Sequence, residues 1–388
     1  MNVPKLRFKE FNDEWSFTEL AKISSDISYG MGIASKEYDG VNKYIRITDI
    51  DETTNKYSNK DIVSPDGVLE EKYLVNKNDI LFARTGASTG KTYLYDEKDG
   101  KLYFAGFLIR ANIVNHDANF IFQQTKTNKY NKWVKIMSMR SGQPGINSQE
   151  YGSYKFSITS PEEEEKISKT LNLLDKKIEL QTKKIEDLKL FKKGLIKKIF
   201  SSDNLSEVQI KDLGTIITGT TPSKENKNYW DNGTIAWITP TDINYERDIS
   251  NSITLLTKEG LEKGRFVPKN SILVTCIASI GKNAVIKVDG SCNQQINAII
   301  PNNDYNSNYI YYLMEYISPY LQSIAGTSAT AIVNKETFER VKVKVHKIED
   351  QMNIDNILSS IESKILLENN LLNKLSELKK GLMQNMFV

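Results

Sequence analysis

Two cysteines and two histidines are all that 388 residues offer to thiol or imidazole chemistry. Cys276, Cys292, His116 and His346 fall at no metal-ligand spacing, which argues against a structural zinc module. A disulfide framework is excluded with it, and a reducing, cytoplasmic setting is the expectation. No apolar run approaches the ~18 residues of a membrane span. The opening Met1-Asn2-Val3-Pro4-Lys5-Leu6-Arg7-Phe8 has no signal-peptide core. Net charge is only +3, too little to announce nucleic acid by itself.

Catalytic signatures are missing as well. There is no His-Glu-x-x-His, no Gly-x-Ser-x-Gly and no acidic cluster of nuclease type. The Pro-Pro-aromatic tetrapeptide and the Gly-rich cofactor loop of an adenine methyltransferase are absent. Thr85-Gly86-Ala87-Ser88-Thr89-Gly90-Lys91-Thr92 imitates a phosphate-binding loop, but Gly86 and Gly90 stand one residue too close. The next residues, Tyr93-Leu94-Tyr95, have the pattern of a strand where that loop needs a helix. A related stretch, Ala278-Ser279-Ile280-Gly281-Lys282-Asn283, lacks the terminal Ser/Thr. Each Gly-Lys pair is better taken as a tight turn between strands, available to a DNA backbone. The chain is expected to be non-catalytic and to carry neither cofactor nor metal.

What is present is a duplication. Lys192-Lys193-Gly194-Leu195 returns as Lys379-Lys380-Gly381-Leu382, an offset of 187 residues. The same offset aligns Ile146-Asn147 with Val333-Asn334, Ile167 with Ile354 and Ile178 with Ile365. A period this long marks duplicated domains, not solenoid units. Both halves place a Gly-containing loop early (Tyr29-Gly30-Met31-Gly32; Thr218-Gly219-Thr220-Thr221-Pro222-Ser223). β-rich stretches come next at Tyr44–Ile50 and Trp237–Ile243, then at Val75–Phe82 and Val267–Val274.

Each half then turns to helix. Ile167, Leu171, Leu174, Ile178, Gln181, Ile185, Leu188, Lys192, Leu195 and Ile199 form one heptad seam over 162–200. Ile354, Leu358, Ile361, Ile365, Glu368, Leu372, Leu375, Lys379, Leu382 and Met386 form the second over 349–387. Ser160, Pro161 and Glu163 predict an N-cap, a first helical turn and a capping box. Neither helix can bury its stripe alone, and a globular domain lies between them in the chain, so an antiparallel pair is predicted. Gln181 and Glu368 interrupt the seams and would fix register.

Loops of small polar residues recur at Ser141–Ser148, Gly326–Asn334 and Asn293-Gln294-Gln295. Such side chains can hydrogen-bond base edges, and glycine lets backbone approach phosphate. Arg84, after an apolar strand, is a candidate reader of guanine or phosphate.

In the order of its pieces the chain resembles the specificity subunit of type I restriction–modification systems, over essentially its whole length. The matching pieces are Pro4-Lys5-Leu6-Arg7-Phe8 through Trp15, Gly219-Thr220-Thr221-Pro222-Ser223, Trp237-Ile238-Thr239, and the helices with Lys-Lys-Gly-Leu. The resemblance implies an α+β protein with two pseudo-two-fold-related target-recognition domains, 1–160 and 204–347, each a β-rich α/β fold. Two long spacer helices, 161–203 and 348–388, would join them as an antiparallel coiled coil. Each domain would read half of a bipartite double-stranded DNA target. The helices would set the spacer and dock two methyltransferase subunits, through which restriction subunits join. S-adenosylmethionine, ATP and Mg would belong to those partners, and no membrane is involved.

The expected DNA contacts are Tyr29, Gly30, Lys36, Thr48, Arg84, Thr85, Ser88, Lys91, Gln143 and Asn147 in the first half. In the second they are Thr220, Thr221, Lys224, Thr239, Thr241, Ser279, Lys282, Gln294, Gln295, Thr327 and Ser328. The early loops differ between the halves, as an asymmetric target requires. Two other readings compete: a stand-alone restriction or modification enzyme, disfavoured by the missing catalytic motifs, and a coiled-coil adaptor that never meets DNA, which leaves the matching loops unexplained.

Overall fold

The computed structural model describes residues 3–139, 143–202, 205–244, 246–325 and 331–388. The chain divides into two compact units, Met1–Thr182 with Asn370–Val388, and Lys183–Asn369.

In the first unit, Ser24–Tyr29, Leu108–Ile113, Asp79–Ala83 and Thr92–Leu94 form an antiparallel sheet in that order. Lys43–Ile45 pairs in parallel with Leu102–Phe104, and Ser16–Glu19 pairs with Lys155–Ile158. Asp79–Ala83 is buried throughout. Its side chains alternate between two cores, Ile80 and Phe82 in one and Leu81 and Ala83 in the other, the period-two arrangement of a strand covered on both faces.

The second unit repeats this plan. Gly214–Thr218, Ile296–Pro301, Ile272–Thr275 and Asn283–Ile286 form the sheet, with Asp248–Ile249 added at the edge. Ile235–Ile238 pairs in parallel with Gly290–Cys292, and Ser206–Gln209 pairs antiparallel with Lys342–Val345. Ile272 and Val274 face one core and Leu273 the other.

Two local predictions are corrected. The stretches Tyr44–Ile50 and Trp237–Ile243 are strand only up to Ile45 and Ile238. An aspartate ends each: Asp49 accepts from Arg46 N and Asp242 from Thr239 N, both at 2.8 Å. Side-chain bonds of this kind compete with the ladder. At the start of the central helix, Glu163 goes to Arg7 Nε (2.7 Å), Trp15 Nε1 (3.2 Å) and Thr159 Oγ1 (2.5 Å) instead of closing a box on Ser160.

The helices run Pro161–Phe200 and Ile348–Asn385. On their seams Ile167, Leu171, Leu174, Ile185, Ile354 and Leu358 are buried, and Ile178, Leu188, Ile361, Ile365, Leu372 and Leu375 are half-buried. In the first unit Ile167 and Leu171 share a core with Met383 and Met386, and Asp175 is ion-paired with Lys379. In the second, Lys184 pairs with Glu368 at 2.7 Å and Lys192 with Glu362 at 2.7 Å, while Ile196 and Phe200 share a core with Ile354 and Leu358. Within each unit rising numbers on one helix meet falling numbers on the other, so the helices are antiparallel. The two seam lysines related by the offset, Lys192 and Lys379, each take a carboxylate of the facing helix, and those acids are related by the same offset (Asp175, Glu362).

The scarce reactive residues are built into this framework. His116 Nδ1 meets Glu164 at 3.0 Å, and that hydrogen bond raises its pKa. His346 meets Tyr309 Oη at 2.9 Å, and burial lowers its pKa. Cys276 and Cys292 are buried free thiols, pushed up to about 11 and about 12 by desolvation.

Candidate nucleic-acid interface

The loops of each unit converge by backbone bonds that the duplication preserves. Gly30 N donates to Leu108 O (3.2 Å) and Gly219 N to Ile296 O (3.0 Å). A Cβ on Gly30 would stand 2.3 Å from Ala105 O, and one on Gly219 would stand 2.2 Å from Asn293 O. Glycine is required there because a carbonyl occupies the side-chain position. The neighbouring aromatics repeat as well: Tyr44 Oη donates to Met31 O (2.8 Å) and Trp237 Nε1 to Thr220 O (3.0 Å).

The Gly-Lys turns are built alike. Ala83 N donates to Lys91 O and Thr275 N to Lys282 O, both at 2.8 Å. Gly90 and Gly281 sit at φ 90° and 84°, where other residues are strained. A strand, not a helix, succeeds each turn, at Thr92–Leu94 and Asn283–Ile286. A third segment clips on: Gly86 N donates to Pro144 O (2.9 Å) and Ile146 N to Arg84 O (2.9 Å), as Ala278 N does to Ala331 O (3.1 Å) and Val333 N to Cys276 O (2.9 Å).

In the first unit this brings Tyr29, Gly30, Arg84, Thr85, Gln143 and Asn147 together. The Arg84 guanidinium lies 4.7 Å from the centre of the Tyr29 ring, whose hydroxyl accepts from Ser148 N (3.0 Å). Thr85 bridges to Gly145, and the Gln143 amide lies over Gly86. Asn147 has a structural duty: its Oδ1 caps the short helix Ser148–Gly152. Its counterpart Asn334 caps Lys335–Arg340, so that repeated Asn marks a helix start. Ser88 lies on the Gly86–Ser88 turn, and Lys91 Nζ is paired with Glu52 at 2.6 Å. Lys36 is exposed on the strand Ser35–Glu37, and Thr48 is exposed on the turn Ile47–Asp49, just after Ile45, whose O accepts from Ala105 N (3.0 Å).

In the second unit Thr221 donates to Gln294 Oε1, and Asn293 N donates to Ile238 O (2.9 Å), tying the 220, 239 and 294 loops together. Thr239 donates to Asp242 (2.6 Å) and shares a hydroxyl bond with Thr241 (2.7 Å). Gln295 O accepts from Cys276 N (2.8 Å) beside half-buried Ser279. Lys224 and Lys282 are exposed. Thr327 and Ser328 lie outside the described residues.

The first unit also has an open cleft of about 680 Å³ beside its Gly-Lys turn. Its rim carries Lys91, Lys126, Lys129, Lys155, Lys379 and Lys380, of which Lys91 is paired with Glu52, and Lys126 and Lys379 with Asp175. Burial, with Lys379 nearby, pushes Lys126 down to about 8. A cleft of this charge suits phosphate.

Fold and loops together define a duplicated recognition module on a helical seam, with no cluster of three or more metal-ligating side chains among the described residues. The family model for the type I restriction modification DNA specificity domain matches residues 14–190 and again 202–377, and the chain belongs to that family. Its role is therefore DNA specificity, not catalysis.

The chain is 36% identical over 167 residues to the type I restriction enzyme MjaIX specificity subunit of Methanocaldococcus jannaschii, a match spanning 42% of this chain and 38% of that protein. It is 24% identical over 418 aligned positions to the HindI specificity subunit of Haemophilus influenzae, covering 85% and 89%. The crystal structure of a type I restriction–modification S subunit from M. genitalium shares the fold, with a TM-score of 0.65 at 15% identity over 100% of this chain and 99% of that one. No helix among the described residues is long and apolar enough to cross a membrane.

Proposed function

We propose that the recognition domains, 1–160 and 204–347, each present their converging loops to one half of a bipartite double-stranded DNA target. The spacer helices, 161–203 and 348–388, set the distance between the halves. The observation that carries this reading is the loop constellation itself: its backbone bonds repeat, while its side chains differ (Tyr29, Arg84 and Gln143 against Thr221, Gln294 and Gln295). Repeated scaffolding with divergent tips is what reading two different half-sites demands. Replacing Arg84 with alanine is expected to weaken binding by ~1–3 kcal/mol and to relax one base position in one half-site, leaving the other half unchanged. Competition binding against single-base variants checks this.

Two methyltransferase subunits dock on the helices, and restriction subunits join through them, in the cytoplasm. S-adenosylmethionine, ATP and Mg serve those partners. Support comes from apolar side chains turned away from the seam: Leu180 and Leu367, and Phe191 and Leu378, are each more than half exposed and related by the offset of 187. Repeated exposed apolar positions provide equivalent contact points for two copies of one partner. Leu180→Glu with Leu367→Glu is expected to reduce co-purification with the methyltransferase subunit at least ten-fold without changing the melting temperature. Retained assembly would remove the helices as the docking face.

A further inference from the structure

The turn that carries Gln294 and Gln295 has a twin that shares no side chains with it. Ile296 N donates to Asn293 O (3.1 Å) and closes the turn Asn293-Gln294-Gln295-Ile296. Leu108 N donates to Ala105 O (2.8 Å) and closes Ala105-Gly106-Phe107-Leu108. The bonds around the two coincide. Thr220 N donates to Cys292 O (2.9 Å) where Met31 N donates to Phe104 O (2.8 Å), and Cys276 N donates to Gln295 O (2.8 Å) where Arg84 N donates to Phe107 O (3.0 Å). Phe107 therefore occupies the place of Gln295.

A lone exposed apolar residue is ordinary on a protein surface. Phe107 is distinguished by its position. It is 59% exposed at the tip of a tight turn. Arg84, stacked on Tyr29, reaches the same turn with Nη1 at 3.5 Å from Gly106 O. The ring thus stands out of the same loop cluster as the polar candidates, held by backbone bonds and not by the core.

We propose that Phe107 determines specificity by packing against the 5-methyl group of a thymine in the half-site of the first unit, at the position where the second unit offers the Gln295 amide. This rests on the reading that the loops face DNA. Thymine's methyl is the apolar group on a major-groove base edge and is met by apolar side chains, whereas Gln recognises adenine through hydrogen bonds. The Gln295 side chain is held within its own turn, its Oε1 accepting from Asn293 Nδ2 at 3.0 Å. The two units therefore read different bases at equivalent positions.

The test uses the full chain assembled with its methyltransferase subunit. Every thymine in both half-sites is replaced singly by deoxyuridine, which removes only the methyl. One replacement is expected to weaken binding by wild type about four-fold or more, the value of a buried methyl. Phe107→Ala should lose at least as much on the unmodified duplex and be indifferent to that deoxyuridine. Phe107→Leu should keep part of the preference. The proposal is overturned if no deoxyuridine affects wild type, or if Phe107→Ala keeps the penalty, as a wedge between base steps would. Failure of base reading altogether is a separate result: wild type would then bind a scrambled duplex as tightly as the target.

Discussion

Arg7→Ala is expected to destabilise the first unit by ~3–5 kcal/mol, the cost of stranding a buried charge. The Glu163 side chain is fully buried and Arg7 is nearly so, with Nε at 2.7 Å and Nη2 at 2.8 Å from the two carboxylate oxygens. Arg7 Nη2 also donates to Asp13 O (2.6 Å), so the same side chain ties the N-terminal segment to the start of the central helix. At roughly 2–4 °C per kcal/mol for a unit of this size, the melting temperature should fall by about 10 °C. Exchanging both partners for apolar residues of similar volume should cost much less, because no charge is left alone.

The same pair makes a prediction about pH. Burial pushes the Glu163 carboxyl up, but hydrogen bonds from Arg7, Thr159 and Trp15 outweigh it and hold the pKa below the usual glutamate value. A carboxylate with a depressed folded pKa adds stability above its ordinary value, and that stability is lost as pH falls through the folded pKa. Wild type and Arg7→Ala should therefore differ most near neutrality and converge in acid. A difference in stability that does not change with pH would mean that Arg7 acts by packing and not by charge.

The second large effect is geometric. One helical turn, four residues, inserted into both helices at the same level adds ~6 Å. The Asp175–Lys379 pair puts insertions after Gln181 and after Leu372 at one level. The spacer between half-sites should lengthen by about two base pairs, at ~3.4 Å each, while the bases within each half remain the same. Altered bases with an unaltered spacer would refute the helices as the ruler.

The duplication was legible in the sequence because Lys-Lys-Gly-Leu returns at a fixed offset, and the two seams because apolar residues recur at heptad spacing. Lys192 and Lys379 stood out as seam lysines, and the structure supplies their carboxylates, Glu362 and Asp175. The Gly30 and Gly219 loops were visible because a carbonyl excludes every other side chain. What escaped was recognition by backbone alone. The Phe107 turn shares no side chain with Gln294-Gln295, and only its hydrogen bonds reveal the match. Arg7 and Glu163 lie 156 residues apart, and no local pattern links them. Local chemistry misled where one side chain had two possible partners: Glu163 fits a capping box by spacing, but Arg7, Trp15 and Thr159 claim it. Asn147, expected at the DNA, also has a structural duty that its spacing does not reveal: its Oδ1 caps a helix.

Two differing loop clusters reading two halves of one target is the claim on which the rest depends. Its most direct test is a methylome: the chain is expressed with its cognate methyltransferase subunit in a methylation-free host, and modified adenines are mapped by long-read sequencing. The expected result is a single split motif with a fixed spacer, one half of which changes when the loops of one unit are exchanged. A continuous motif, or no new methylation from a complex shown to assemble, would contradict it.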